Sequence, residues 1–576
     1  MNQKLENILN VSLDATEDEL RKADSLSTGY SWRDNTWEII VKYSGSLESI
    51  RNRYNVYIKE LLNYYAIIVA DKATIELISQ EDVIDYVEKP KSLYYQIERT
   101  KTAACVGSVR ADGNILSGKG VIVGVIDTGI DIFDNAFRNS DGTTRILNIY
   151  DQTTGEKYDK QSIDEYIRLN EDLSGGTFSY DNAPGVDNIM HGTDVSYIAA
   201  GSLGVAYEAD IIAVKMGYSI NNQFPRTTSL MDAIDYIIRK AIEYRKPVAV
   251  NISYGCNYGA HNGNTLLESF IDDISKSYRC VICVGSGNEA DKAIHFGGII
   301  NTGQVQTAYL SVGEYQSAID IQIWKNYWDT IDVMLINPRG EQIGIITEGR
   351  INRYETYNTE IITLLGEPSP YNIYQEIYIN LIPKTDYILS GIWQIVLMAG
   401  SIRAGEYNIW LPSSQALGYA TAFNNPTADG TITIPATARN CIAVGAYNAY
   451  TNSYAAFSGR GFDNSIRNVN AGVKPDITAP GVDISIARQR GNDITYRNVT
   501  GTSYAVPVVT GAAALLMQWG IVMGNDRFMY GEKLKAALIN GSKPVGLVGI
   551  TRNDNQPDPR TGWGAVCLKN TLNKIL

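Results

Sequence analysis

A serine hydroxyl is a weak nucleophile until a base takes its proton, and histidine is the usual base. The 576 residues contain only three histidines, His191, His261 and His295. Ser503 stands in "GTSYAVPVVTGAAALLMQW", where a polar, glycine-bearing stretch gives way to an apolar helix pattern. A hydroxyl placed there lies among unpaired backbone N–H groups at the positive end of a helix dipole, which stabilises a developing oxyanion. Serine is also a favoured N-cap, so position alone does not separate nucleophile from cap. His191 opens "HGTDVSYIAAG", a second helix start among small residues that suit a packed site. Such a base needs a carboxylate to fix its tautomer and stabilise the imidazolium. Asp127 closes the apolar run "VIVGVIDTG". A parallel strand delivers it to the C-terminal edge of its sheet, where open α/β folds place their sites.

The elements that must hold these residues are legible in the pattern of apolar positions. From about Gly118, short β-branched runs alternate with helix patterns: "GVIVGVID", "DIIAVKMG", "SLMDAIDYIIRKAIEYR", "PVAVNISYG", "CVICVGSGN". Continuous rather than alternating apolar strands predict a parallel sheet covered by helices on both faces. Ahead of it, residues 37–95 read strand, helix, strand, strand, helix, strand, the ferredoxin-like βαββαβ order. Between about Gly298 and Asn424 the helix patterns stop and alternating strands take over, predicting an all-β sandwich inserted in the α/β domain. Its Trp324, Trp393 and Trp410 alternate with polar neighbours and fit core positions better than an exposed sugar platform. The expected division is 1–96, 97–297, 298–424 and 425–576.

Bulk composition narrows the function classes. Lys+Arg of 50 against Asp+Glu of 63 gives a net charge of −13, with no dense basic run, which argues against nucleic acid as a partner. No ordinary secretory signal is visible at the N-terminus and no apolar run reads as a membrane span, so no membrane partner and synthesis in the cytoplasm are expected. Six cysteines are too few and scattered for a disulfide framework, and Cys280-x-x-Cys283 has no second pair to complete a zinc site. No cofactor is called for.

Asp127, His191 and Ser503 occur in the chain order Asp, His, Ser. Together, "VIVGVIDTGID", "HGTDVSYIAAG", "NISYG", "VGSGNEA", "FSGRGF", "KPDITAPGVDI" and "GTSYAVPVVTGAA" resemble the subtilase family of serine proteases, over about 117–297 and 431–564. The resemblance implies a subtilisin-like fold and peptide-bond hydrolysis, with Asp127, His191 and Ser503 as the triad. It implies Asn288 and the backbone N–H of Ser503 as the oxyanion hole. Ser253, Tyr254, Gly255, Gly285, Ser286 and Gly287 match the two segments that flank an extended protein or peptide substrate. The signal-less start, the ferredoxin-like prodomain and the jelly-roll-like insertion resemble the Csp-type proteases of clostridial spores. These activate a cortex-lytic enzyme precursor during germination, so a spore association follows as an expectation. The prodomain is expected to be cut from the chain by its own active site, at Gln96–Ile97, and to stay in the cleft.

Four departures accompany the resemblance. The usual "HGTH" is "HGTD", with Asp194 in place of histidine, and the usual "SMA" and "PHV" after the serine are "SYA", with Tyr504, and "PVV". After His191 the chain runs "AAGSLGVAYE", too short to wrap a tight calcium, so no metal is expected at 200–207. Rival readings are a silent subtilase fold kept for binding or sensing, and a carbohydrate- or peptide-binding protein built on the sandwich. Asp127-Thr128-Gly129 also spells an aspartic-protease signature, but no second DTG supplies a facing carboxylate.

Overall fold

The computed structural model describes residues 2–92, 94–95, 116–173, 183–217, 224–344, 346, 349–462, 472–490, 493–546 and 557–575. Its centre is a nine-stranded sheet. Seven strands run parallel: Ile122–Asp127, Ile146–Asp151, Asp210–Lys215, Val248–Ile252, Cys280–Gly285, Ile442–Asn448 and Ile477–Pro480. Two short antiparallel strands, Glu156–Asp159 and Ser453–Tyr454, lie at its margins. Every residue of Ile122–Asp127 is buried, as a strand covered on both faces requires. This strand is flanked by Asp210–Lys215 on one side and Val248–Ile252 on the other. The chain fills one half of the sheet before crossing to the other, so Asp127 leaves the sheet at a topological switch point.

The helix Thr502–Met517 is buried along its whole length and packs on the strands Val248–Ile252, Cys280–Gly285 and Ile442–Asn448. Together with the turn that follows it, Thr502–Val522, it is long and apolar enough by composition to cross a membrane. This corrects the expectation that no stretch reads as a span. The composition belongs instead to a core helix, which has no solvent face and therefore no charged stripe.

The N-terminal unit has the βαββαβ order, with strands Thr36–Tyr43, Tyr57–Glu60, Tyr65–Ala70 and Ile84–Glu88 and helices Glu48–Tyr54 and Lys72–Ile78. Three further helices, Asn7–Asp14, Glu17–Lys22 and Asp24–Ser27, precede it. Their sequence signal was a capping box, Thr16 with Glu19. Alternation along the strands gives this sheet two apolar faces. Ile39, Val41, Ala66 and Ile68 face its own helices. Ile40, Tyr65 and Ile67 join the core of the α/β domain, where Tyr65 meets Phe270 edge-on at 5.2 Å.

The inserted unit is a sandwich of a six-stranded and a five-stranded antiparallel sheet. The first strand of the larger sheet is His295–Ile299, which pairs with Glu406–Trp410, so the sandwich begins at 295 rather than 298. Trp393 and Trp410 are buried, and Trp324 is half-buried. Ile362, Leu364, Tyr378 and Ile382, on the sandwich's larger sheet, pack into the core of the N-terminal unit. That unit is therefore held from two sides. Cys256, Cys280, Cys283, Cys441 and Cys567 are free, buried thiols; Cys105 lies outside the described residues.

Candidate active site

Asp127 is the last residue of its strand, opposite Lys215. Its Oδ1 accepts from the Thr128 N–H at 2.8 Å and lies 2.6 Å from Nδ1 of His191, both side chains being buried. That distance fits a charge-assisted hydrogen bond, with the ring proton on Nδ1 and Nε2 left as the basic nitrogen. Burial pulls the ring toward neutrality. The Asp127 charge and hydrogen bond, with Asp194 and Asp187 farther off, outweigh it and hold the His191 pKa above its ordinary value.

Asp187 is a residue the sequence reading missed. Its carboxylate accepts from the Met190 N–H at 2.7 Å and from the Thr193 N–H and hydroxyl at 2.8 Å each. It thus occupies the N-terminus of the His191–Ala200 helix, where an acid complements the dipole. The Thr128 hydroxyl donates to it at 2.7 Å and accepts from the Gly192 N–H at 2.9 Å, so the Asp127 loop and the His191 helix share one network. An acidic residue just ahead of a helix start was the available signal. A Cβ on Gly192 would lie 2.3 Å from the Gly129 carbonyl oxygen and 2.9 Å from Cβ of Asp127. Only glycine permits that approach.

Ser503 is the second residue of the helix Thr502–Met517, fully buried, and its carbonyl accepts from the Ser253 hydroxyl at 3.4 Å. The helix packs against His191–Ala200, and the ring of Tyr504, next to Ser503, meets the His191 ring with centroids 5.3 Å apart. Oδ1 of Asn288 accepts from the Thr502 N–H at 3.0 Å and from the Thr502 hydroxyl at 3.1 Å. Two donors fix which end of the amide is oxygen, so Nδ2 points away from them. That nitrogen is buried and has no hydrogen-bond partner among the described residues. A buried donor of this kind, beside the N-terminus of the Ser503 helix, is what stabilisation of a developing oxyanion requires.

The two expected substrate segments lie at the same edge of the sheet. Gly285 ends its strand; the Ser286 N–H donates to the Val444 carbonyl at 2.9 Å, and the Thr433 N–H donates to the Ser286 carbonyl at 3.0 Å. Gly287 has φ of +96°, and a Cβ there would lie 2.6 Å from the Thr433 methyl. The other segment, Tyr254–Gly255, already carries a partner strand. Tyr94–Tyr95 pairs with it antiparallel, Tyr95 opposite Tyr254 and Tyr94 opposite Gly255. The chain reaches that position past Lys91, whose backbone exchanges hydrogen bonds with Thr227, and past Glu88, which accepts from the Leu266 N–H at 2.8 Å. Buried Lys91 also binds the carboxylates of Glu6 and Glu88. Gln96 and Ile97 lie outside the described residues.

His261 and His295 both stack on buried Trp410, with centroids 4.2 and 4.9 Å away, at the seam between sandwich and α/β domain. They are packing groups, and His191 is the histidine at the strand edge with Asp127. Among the described residues no cluster of three or more His, Cys, Asp or Glu could hold a metal ion.

Comparison with known proteins agrees with this architecture. Residues 3–91 match the model of the Csp protease B prodomain, and residues 118–368 and 404–564 match that of the subtilase family. The solved CspB protease of Clostridium perfringens is 34% identical, with a TM-score of 0.74 over 82% of this chain and 96% of that one. The subtilase-type proteinase RRT12 of Saccharomyces cerevisiae is 33% identical over 128 residues, 22% of this chain and 23% of that protein. Subtilisin-like protease 10 of Arthroderma otae is 34% identical over 120 residues, 21% of this chain and 27% of that protein. The chain thus spans about a quarter of the length of these curated relatives. A subtilase match over most of the chain, joined to a Csp-type prodomain and to a solved relative of the same architecture, places it in one group: the chain belongs to the subtilase family of serine peptidases.

Proposed function

We propose that the chain is a serine endopeptidase that cleaves its own prodomain and then a protein substrate. Ser503 is the nucleophile, His191 takes its proton and returns it to the leaving amine, and Asp127 orients the ring and stabilises its cation. Asn288 Nδ2 and the Ser503 N–H bind the oxyanion. The observation that carries this reading is Nδ2 of Asn288, buried and without a hydrogen-bond partner among the described residues. Leaving a buried donor unmade costs about 1–3 kcal/mol. A silent binding scaffold gains nothing from that cost, whereas an enzyme recovers it in the transition state.

The strand Tyr94–Tyr95 on Tyr254–Gly255 supports a product-like tail lying along the substrate cleft. We place self-cleavage just beyond it, after Gln96. Because the N-terminal unit is gripped by both the α/β domain and the sandwich, it stays docked after the cut and acts as an inhibitor. Purified protein should therefore run as two fragments on a denaturing gel yet co-elute on size exclusion, while Ser503→Ala runs as one. An intact wild-type chain would overturn autoprocessing. The likeness to the CspB protease extends the proposal to a substrate, the precursor of a cortex-lytic enzyme, met in the spore. Incubation with that precursor, followed by mass spectrometry of any new N-terminus, tests this part.

The raised His191 pKa fixes a pH dependence. A general base must be neutral, so activity appears only as pH rises through that pKa. The acid limb of kcat/KM should have its midpoint above about 6.5, the unperturbed histidine value. The same shift stabilises the folded state below the unfolded pKa, a contribution lost as pH rises through the folded one. Initial rates from pH 5 to 9 check this; a midpoint below 6 would contradict it.

A further inference from the structure

Two of the departures from the common subtilase motifs, Asp194 in "HGTD" and Tyr504 in "SYA", meet at the same arginine. Asp194 lies one turn after His191 on the same helix and is fully buried. Its Oδ1 accepts from Arg488, whose Nε is 3.1 Å away and whose Nη2 also binds, and its Oδ2 pairs with Nη2 of Arg497. Both arginines come from one antiparallel hairpin, Ile484–Arg490 with Asp493–Val499, in which Ile486 faces Arg497 and Arg488 faces Thr495. They therefore project from one face of the ribbon. Arg488 Nη2 also donates to the Met190 carbonyl at 2.9 Å, and Met190, with φ of +67°, is the residue that turns the chain into His191. The Arg497 guanidinium in turn lies close enough to the hydroxyl of Tyr504 to act on it electrostatically. The Tyr504 ring is buried and meets the His191 ring at 5.3 Å.

A loop of contacts thus closes around the imidazole: Tyr504 against its ring, Arg497 on Tyr504, Asp194 on Arg497, and the His191 helix carrying Asp194. The hairpin that supplies the arginines ends at Val499, just ahead of Ser503, so the same ribbon that clamps the His191 helix also feeds the nucleophile. Guanidinium groups present their donors in a rigid fork, which suits them to fixing an angle rather than only supplying charge. Burial pushes the Tyr504 hydroxyl far above the ordinary phenol range, so it remains a neutral hydrogen-bonding group at working pH.

We propose that Asp194, Arg488, Arg497 and Tyr504 form a positioning clamp that sets the His191 ring against Ser503. The inference rests on reading His191 and Ser503 as base and nucleophile. It goes beyond that reading by giving the two unusual residues one shared role.

The test uses the self-processed protein with its prodomain released, a chromogenic peptide, and the rate at which a fluorophosphonate labels Ser503. Tyr504→Phe removes one hydroxyl and keeps the ring. It should lower kcat and labelling about fivefold to tenfold, the worth of one polar interaction, with KM and melting temperature little changed. Arg497→Lys keeps the charge and loses the fork, and should fall similarly. The double variant should be no slower than the worse single one, because both break the same link. Asp194→Asn should also move the acid limb of kcat/KM to lower pH. It removes a charge that raises the His191 pKa while Arg488 and Arg497 remain; Asp127 and Asp187 still face the ring, and Tyr504 is neutral. Should Asp194→Asn fail to fold, the Tyr504 and Arg497 variants decide. Wild-type kcat in Tyr504→Phe, or losses that multiply in the double variant, would overturn the clamp. Activity surviving Ser503→Ala would instead overturn the triad reading on which it stands.

Discussion

Ser503→Ala is expected to lower the rate of peptide hydrolysis by about a million-fold while leaving a folded, full-length chain; the magnitude is the one known for subtilisin and is carried over to this relative. The size follows from what remains. Without the hydroxyl, no covalent intermediate forms, and His191 has no nucleophile to activate. The oxyanion donors and the cleft survive, so a residual acceleration over water persists. Folding should be little affected, because the change deletes one oxygen at a helix start whose packing is made by Val506, Val509, Ala512 and Leu516. Active-site titration with circular dichroism reads both halves. A variant that is inactive because it is unfolded does not meet the expectation, and one that is folded and active contradicts it.

Asn288→Ala should give a smaller but still large loss. Its Oδ1 already has two donors from Thr502, and Nδ2 is the group left over. An oxygen that becomes negative only after attack will strengthen that hydrogen bond only in the transition state. The loss should therefore fall on kcat and leave KM nearly unchanged, by roughly 2.7–4 kcal/mol, the range established for the equivalent subtilisin donor. A rise in KM with kcat intact would mean that Asn288 binds substrate instead. Asn288→Asp is a sharper control. It nearly preserves shape but replaces a donor by an acceptor, and should be at least as damaging.

Most of the positioning scaffold was legible because burial writes itself into strand composition. Ile122–Asp127 has no polar alternation, and only a strand covered on both faces can have that pattern. The βαββαβ unit was readable for the opposite reason, since its strands alternate between two different apolar partners. The second partner was not readable. That Ile362, Leu364, Tyr378 and Ile382 of the sandwich would cover the N-terminal helices is a contact between elements far apart in sequence, and local periodicity carries no information about it. The same holds within the site. Asp127, His191, Ser503 and Asn288 stand at strand or helix ends, which motifs mark. Asp187 acts through backbone N–H groups that any residues could supply, and Arg488 and Arg497 lie on a hairpin with no motif of its own. Asp194 was visible as an oddity, but its meaning depended on those two arginines. The apolar stretch at Thr502–Val522 shows the complementary limit: composition reports that a helix avoids water, not whether protein or lipid takes its place.

Ser503 can be tested as the nucleophile by covalent labelling. Purified wild-type protein, freed of its prodomain by mild denaturation and refolding or by a competing peptide, is treated with a fluorophosphonate, digested and analysed by mass spectrometry. A single phosphonylated serine, Ser503, is expected, with labelling abolished in His191→Ala and Ser503→Ala and slowed below the pKa of His191. No adduct on folded wild-type protein, or an adduct on another serine that survives Ser503→Ala, would contradict Ser503 as the nucleophile.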